Sequence, residues 1–125
     1  MLAVIECRES DAAVCERALE LVRDRGGFVT VVALVPRAFP WVNAGPHCTP
    51  TVTVEERRKQ AEAALARALA LIAPTASVAA CLEDGRPYDV IRRRVNSCEP
   101  DVVVVRRRLL RRARAAPAPA PALAH

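Results

Sequence analysis

The chain has 125 residues, which is enough for one domain with its own hydrophobic core. Hydrophobic residues make up 52% of it, which excludes general disorder, and aromatic residues only 3%, which argues against stacking platforms for single-stranded nucleic acid. The net charge of +5 is uneven: ten arginines and three acidic residues follow position 84, so that part carries +7. This positive field predicts either a site for an anion or a solvated basic face.

The absence of recognisable targeting signals and the spacing of the cysteines predict a cytoplasmic protein. No run approaches the roughly 18 uncharged apolar residues of a membrane-spanning helix, and the first residues lack the basic segment of a signal peptide. The cysteines show no C-x-x-C or zinc spacing, so we predict free thiols at Cys7, Cys15, Cys48, Cys81 and Cys98. His47 next to Cys48 has no second ligand nearby in sequence, which argues against a metal or nucleophile site there.

The first part of the chain predicts a βαβ unit. An apolar strand covers residues 2–7, and a helix runs from an N-cap at Ser10 to Arg25, where Gly26 and Gly27 end it. A second buried strand covers residues 28–35. Two parallel strands with this connection require a crossover, which should be right-handed.

A second set of elements follows an irregular loop at residues 37–50, which is either a lid over a site or a surface excursion. Thr53 and Glu56 have the spacing of a capping box, and a long helix is predicted to about residue 73. Its predicted inner stripe is Ala61, Leu65, Ala68, Leu69 and Ile72.

The last elements lead to a candidate site. A strand is predicted at residues 77–82 and a helix from Pro87, with Val90, Ile91 and Val95 inward and Arg92–Arg94 mostly outward. The run Val102–Val105 suits a strand buried on both faces of a parallel sheet.

Arginines follow this strand at once. Arg106, Arg107 and Arg108 fall at its carboxyl end, the edge of an open α/β sheet where ligands bind. Because successive strand side chains point to opposite faces, these three arginines cannot all enter one cleft.

The end of the chain is predicted to contribute little to the fold. Residues 109–116 could form two helical turns, but residues 115–124 alternate alanine and proline, and proline cannot donate to a sheet ladder. We therefore predict a folded domain at residues 1–114 and a disordered tail at residues 115–125. Removal of Pro117–His125 is expected to leave thermal stability nearly unchanged.

The order of elements over Leu2–Val105 resembles a universal stress protein domain. The long loop before the second helix, the Gly85-x-Pro87 helix start and the Asp101-Val-Val-Val-Val strand carry the resemblance. It implies a doubly wound parallel α/β sheet of the Rossmann type, like that of the adenine nucleotide alpha hydrolases, with strand order 3-2-1-4-5. In ATP-binding members of that family the nucleotide lies between the first and fourth strands.

Three departures from the family pattern bear on function. ATP-binding members carry a G-x-x-G-x9-G-[ST] segment after the fourth strand, whereas Arg106 stands at the first glycine position here and no glycine follows Gly85. The common Asp at the end of the first strand is replaced by Glu6. The family's closing fifth-strand segment resembles residues 116–119 only in its prolines, so we predict the order 3-2-1-4 with the fifth strand missing or degraded.

The resemblance and its departures predict a non-enzymatic stress-response binding or regulatory module that has lost strong ATP binding, with no certain cofactor. The alternative retains ATP or AMP, with Glu6 or Cys7 near the nucleoside, Val35 at the second strand end and Arg106–Arg108 at the phosphates. A basic patch for another anion or a nucleic acid is a further alternative, although no nucleic-acid reading motif is present.

Catalysis is not expected. The sequence offers no Ser-His-acid set and no metal cluster, and the natural acid pair, Glu6 and Asp101, should lie at opposite ends of parallel strands. A missing fifth strand leaves the fourth strand as an exposed edge, which predicts a homodimer through that edge.

Overall fold

A computed structural model describes residues 1–36, residues 53–109 and the two-residue strand at 123–124. The predicted loop with Trp41, His47 and Cys48, and the predicted helical turns and tail over residues 110–122, lie outside the described residues. The described elements, in chain order, are β1 (Leu2–Ile5), α1 (Asp11–Arg25), β2 (Phe28–Leu34), α2 (Val54–Ile72), β3 (Ser77–Glu83), α3 (Pro87–Cys98), β4 (Val103–Val104) and β5 (Leu123–Ala124).

The strands form one parallel sheet in the order β3-β2-β1-β4-β5. Leu2 pairs with Thr30 of β2 on one side and with Val103 of β4 on the other, so β1 lies at the centre. The predicted doubly wound α/β sheet with order 3-2-1-4 is confirmed. No helix in the described part of the chain is long and apolar enough to cross a bilayer.

Two hydrophobic cores cover the two faces of the sheet. Ala3 and Ile5 of β1 face α1 and α2, whereas Leu2 and Val4 face the opposite side, where Val90 and Ile91 of α3 pack. Side chains of a strand alternate between faces, and both faces here are covered by helices. This is why β1 and β4 are apolar throughout.

The helix starts show how local sequence fixes the elements. Thr53 Oγ1 accepts a 3.1 Å hydrogen bond from the Glu56 N–H, and Glu56 Oε2 accepts a 3.1 Å bond from the Thr53 N–H, so the predicted capping box is confirmed. Ser10 does occupy the N-cap of α1, but its side chain makes no capping hydrogen bond.

The buried stripe of α2 differs in part from the predicted one. Ala61, Ala68 and Ile72 are buried, but the fourth buried residue is Ala64, and Leu65 and Leu69 are only half-buried. Alanines let the helix approach its neighbours closely, so the longer leucines lie at the border of the contact instead of its centre.

The last strand corrects the prediction for the tail. Leu123 pairs in parallel with Val103 and Ala124 with Val104, so residues 123–124 are a strand and not disordered. The prolines at 117, 119 and 121 precede these residues, which keep their backbone N–H groups. The fourth strand is therefore not an open edge at Val103 and Val104, and the predicted dimer through that edge loses its structural basis.

Candidate functional site

The candidate site lies at the carboxyl edge of the sheet, where β1 and β4 end side by side. Leu2 pairs with Val103 and Ala3 with Val104, so the same register, continued along the chain, brings Arg106 beside Ile5 and within reach of Glu6, the next residue. The Arg106 Nε atom is 2.6 Å from Glu6 Oε2, and a second guanidinium nitrogen is 3.3 Å from Glu6 Oε1. The two residues form a forked ion pair across the crevice between the first and fourth strands.

This ion pair is shielded from water. The Glu6 side chain is 10% exposed and the Arg106 side chain 21% exposed. Hydrogen bonds between a guanidinium and a carboxylate are charge-assisted, and a forked arrangement fixes both groups in direction. Glu6 and Arg106 therefore neutralise each other at the point where the sequence predicts a nucleotide.

The loop between β1 and α1 holds Glu6 in position. Asp11 Oδ1 accepts a 2.9 Å hydrogen bond from the Glu6 N–H, and Asp11 Oδ2 accepts a 3.1 Å bond from the Arg8 N–H. Between them Cys7 adopts a left-handed backbone with φ of 59°, which is uncommon for a residue with a side chain. Asp11, the first residue of α1, thus fixes this turn by accepting hydrogen bonds from two N–H groups that precede the helix.

The Cys7 thiol faces the end of β2. Its Sγ atom lies 3.6 Å from the carbonyl oxygen of Leu34, to which it donates. Burial raises the pKa of Cys7, and the Asp11 carboxylate raises it further, against an opposing effect of Arg67. The thiol is therefore neutral near neutral pH and is a poor nucleophile.

The remaining predicted site residues are separated by the fold. Val35 is buried, and its N–H donates a 3.0 Å hydrogen bond to the Glu83 carbonyl, so that donor is occupied. Arg107 and Arg108 are exposed in a helical turn at residues 107–109, which buried Leu109 anchors. Only Arg106 of the three arginines turns towards Glu6.

A second ion cluster at the same edge was missed in the sequence. Glu83, at the end of β3, accepts a 2.6 Å hydrogen bond from Arg93 and two hydrogen bonds from Arg94, of which the Nε bond is 2.8 Å. Burial alone raises the pKa of Glu83, but the hydrogen bonds and charges of Arg94 and then Arg93 outweigh it, so the pKa is lowered. The prediction that Arg93 and Arg94 mostly face out is wrong for Arg94, which is half-buried on Glu83. A strand-final Glu followed by an arginine-rich helix was the available signal.

Asp101 lies far from Glu6, as the sequence predicts. Asp101 precedes β4, and Val102 next to it accepts a hydrogen bond from the Leu2 N–H at the start of β1. Glu6 follows the end of β1, so the two carboxylates lie at opposite ends of the sheet. Within residues 1–36 and 53–109 no three His, Cys, Asp or Glu side chains are grouped as metal ligands.

An open groove of about 760 Å³ lies beside the β1–α1 loop, between α1 and α2. Arg8 and Arg67 line it together with Glu9 and Asp11, and Ala64 and Leu71 supply apolar surface. Its volume is in the range of small-molecule binding sites. Its two arginines and two acidic residues balance each other, so the lining favours neither an anionic nor a cationic ligand.

Comparison with known proteins supports the fold and nothing finer. No protein-family model and no curated protein matches the sequence. A solved protein of the universal stress protein family from Burkholderia pseudomallei superposes with a TM-score of 0.68 at 16% identity, over 98% of this chain and 92% of that one. A universal stress protein solved in complex with cAMP gives a TM-score of 0.54 at 15% identity, over 84% and 75% of the two chains. The predicted universal stress protein-like fold is confirmed.

Proposed function

We propose that this chain is a non-enzymatic, stress-response-type binding or regulatory module with the universal stress protein fold, in which strong ATP binding has been lost. The observation that carries this proposal is the Glu6–Arg106 ion pair, which occupies the crevice between β1 and β4. By the resemblance, that crevice holds the nucleotide in ATP-binding members of the family.

The energetics of the ion pair support the loss of ATP binding. A phosphate that binds the Nε side of the Arg106 guanidinium must displace Glu6, and the freed carboxylate would remain in a position with 10% exposure. A shielded charge or polar group without its partner costs about 1–3 kcal/mol or more. The displaced Glu6 would also repel the phosphates, so the crevice disfavours a polyanion even though it contains an arginine.

The chemistry at the sheet edge supports a non-enzymatic role. Glu6 and Glu83 are both held by arginines. The pKa values of Cys7 and Cys81 are raised, mainly by burial, so neither thiol is an activated nucleophile. Such groups bind and stabilise, but they do not supply an available general base or thiolate.

Binding of an anion at the outer side of the same edge is the second candidate function. Arg107 and Arg108 are exposed, and neither forms an ion pair with any described residue. They could hold the phosphate of a nucleotide such as ATP or AMP, or of a nucleic acid, without opening the Glu6–Arg106 pair. One solved structure of this fold contains cAMP, a nucleotide with a single phosphate charge.

The thiols support a cytoplasmic location. Cys7, Cys15, Cys81 and Cys98, the four cysteines that the structure describes, are all free. Free thiols persist in reducing compartments.

Calorimetric titration tests this proposal. The protein is titrated with ATP and Mg²⁺, and then with cAMP, at moderate salt, with Arg106→Ala and Arg107→Ala as matched variants. The proposal predicts no heat of binding up to millimolar ATP for the unmodified protein. Micromolar binding that Arg106→Ala weakens would overturn it. Salt-sensitive binding that only Arg107→Ala weakens would favour the second candidate.

A further inference from the structure

The edge strand β3 presents unpaired backbone groups on its outer side. The Val35 N–H donates to the carbonyl of Glu83, so the N–H and C=O of Glu83 point towards β2. The register between β2 and β3 is continuous from Ser77 to Glu83, and the backbone direction alternates along a strand. The N–H and C=O groups of Val78, Ala80 and Leu82 therefore point away from the sheet. No strand among residues 1–36, 53–109 and 123–124 pairs with that side.

Within the described part of the chain, β3 itself carries none of the features that usually protect an edge strand against pairing. Natural edge strands are short, or carry lysine, proline or a bulge. β3 has seven residues, and its first six, Ser77–Leu82, include no charged residue and no proline. Ala79 and Ala80 are exposed and small, so none of the described side chains at the middle of the strand hinders the approach of another backbone.

We propose that β3 pairs with β3 of a second copy of this chain in antiparallel fashion, about a two-fold axis at Ala80. The pattern of the strand is self-complementary about that residue. Val78 would lie opposite the partner's Leu82, Ala79 opposite the partner's Cys81, and Ser77 opposite the partner's Glu83. No like charges meet, because Glu83 faces a serine and is already neutralised by Arg93 and Arg94.

The direction of the backbone groups fits this arrangement. The N–H and C=O groups of Ala80 point out of the sheet, so Ala80 of one copy and Ala80 of the other would form a hydrogen-bonded antiparallel pair. The Cα–Cα distance in such a pair is about 5.5 Å. The outward groups of Val78, Ala80 and Leu82 in each copy can then form about six hydrogen bonds between copies. The two sheets become one continuous sheet, and β5 stays on the far side of each copy.

Sedimentation velocity over a range from low to several hundred micromolar protein tests the proposal. The unmodified protein should reach the mass of a dimer as concentration rises. Ala80→Lys should remain a monomer, because two ammonium groups would meet at the axis, and Ala80→Ser should dimerise like the unmodified chain. Circular dichroism checks that all three proteins are folded. We expect that they are, because the side chain of Ala80 is exposed.

A cross-linking variant gives a second readout. Ala80→Cys places two thiols opposite each other at the two-fold axis, within reach of a short bis-maleimide cross-linker, whereas Ala63→Cys, on the exposed face of α2, does not. The cross-linker should join two copies of Ala80→Cys, but not of Ala63→Cys, above the background of the native thiols. A monomer at every concentration, or a dimer that Ala80→Lys leaves intact, would overturn the proposal.

Discussion

The carboxylate of Asp11 accepts a 2.9 Å hydrogen bond from the backbone N–H of Glu6, the residue whose own side chain holds Arg106. The helix start, the turn after β1 and the ion pair above the sheet are thus one connected set of contacts. The loop between β1 and α1 therefore helps to orient the ion pair at this edge.

Replacement of Asp11 should destabilise the protein. Asp11→Ala removes the acceptor for the N–H groups of both Glu6 and Arg8, so we expect a loss of about 1–3 kcal/mol in the free energy of unfolding. Urea denaturation measures it. Asp24→Ala, an exposed acidic residue near the end of α1, is the control and should change little. Equal stabilities of the two variants would mean that Asp11 does not organise the turn.

Stability should fall in acid partly through Glu83. The pKa of Glu83 is lowered in the folded state, so its stabilising contribution is complete above the unfolded pKa of about 4.3 and is lost as pH falls through the folded pKa. Between about pH 6 and about pH 3 the unmodified protein should therefore lose more stability than Glu83→Gln. Denaturation midpoints across this range measure the difference, and parallel curves for the two proteins would contradict the prediction.

The described thiols should react in a fixed order. Burial and, to a lesser extent, the negative charges of Asp11 and Glu16 raise the pKa of Cys15 to about 11, whereas Cys98 is exposed. Alkylation at about pH 8 requires the thiolate, so Cys98 should be labelled first and Cys15 last. Peptide mapping by mass spectrometry measures the order, with the urea-unfolded chain as the control. Early labelling of Cys15 would show that α1 is not packed as described.

The end of the chain should contribute measurably to stability. Removal of residues 123–125 deletes the pairing of β5 with Val103 and Val104, which we expect to cost about 1–2 kcal/mol. Removal of His125 alone is the matched control, since it leaves β5 in place. Thermal denaturation compares the two truncated chains. Identical melting temperatures would support the original expectation from the alanine-proline pattern.

Local signals explain why the sequence predicted most of the fold. Apolar runs, the capping box at Thr53 and the proline at the start of α3 act within a few residues, and they place the helices within about one residue of their observed bounds. The order of the first four strands could also be predicted, but only through the resemblance. The two-residue β5 was not, because its pairing depends on Val103 and Val104, not on its own composition.

Contacts between distant segments explain what was missed at the site. Glu6 and Arg106 were both predicted as site residues, but their pairing depends on the register of β1 against β4 over 100 residues of sequence. The clamp of Arg93 and Arg94 on Glu83 depends likewise on how α3 packs over the sheet. Helical spacing alone placed these arginines in solvent.

Titration of Glu6→Gln beside the unmodified protein, with ATP and Mg²⁺ in a calorimeter, tests whether the Glu6–Arg106 ion pair excludes ATP. The glutamine keeps the size of Glu6 but removes the charge that holds Arg106 and repels phosphate. We expect no binding heat for the unmodified protein up to millimolar ATP, and at least a tenfold gain in affinity for Glu6→Gln, about 1.4 kcal/mol. Equal behaviour of the two proteins, whether both bind or neither does, would contradict the claim that this ion pair closes the crevice.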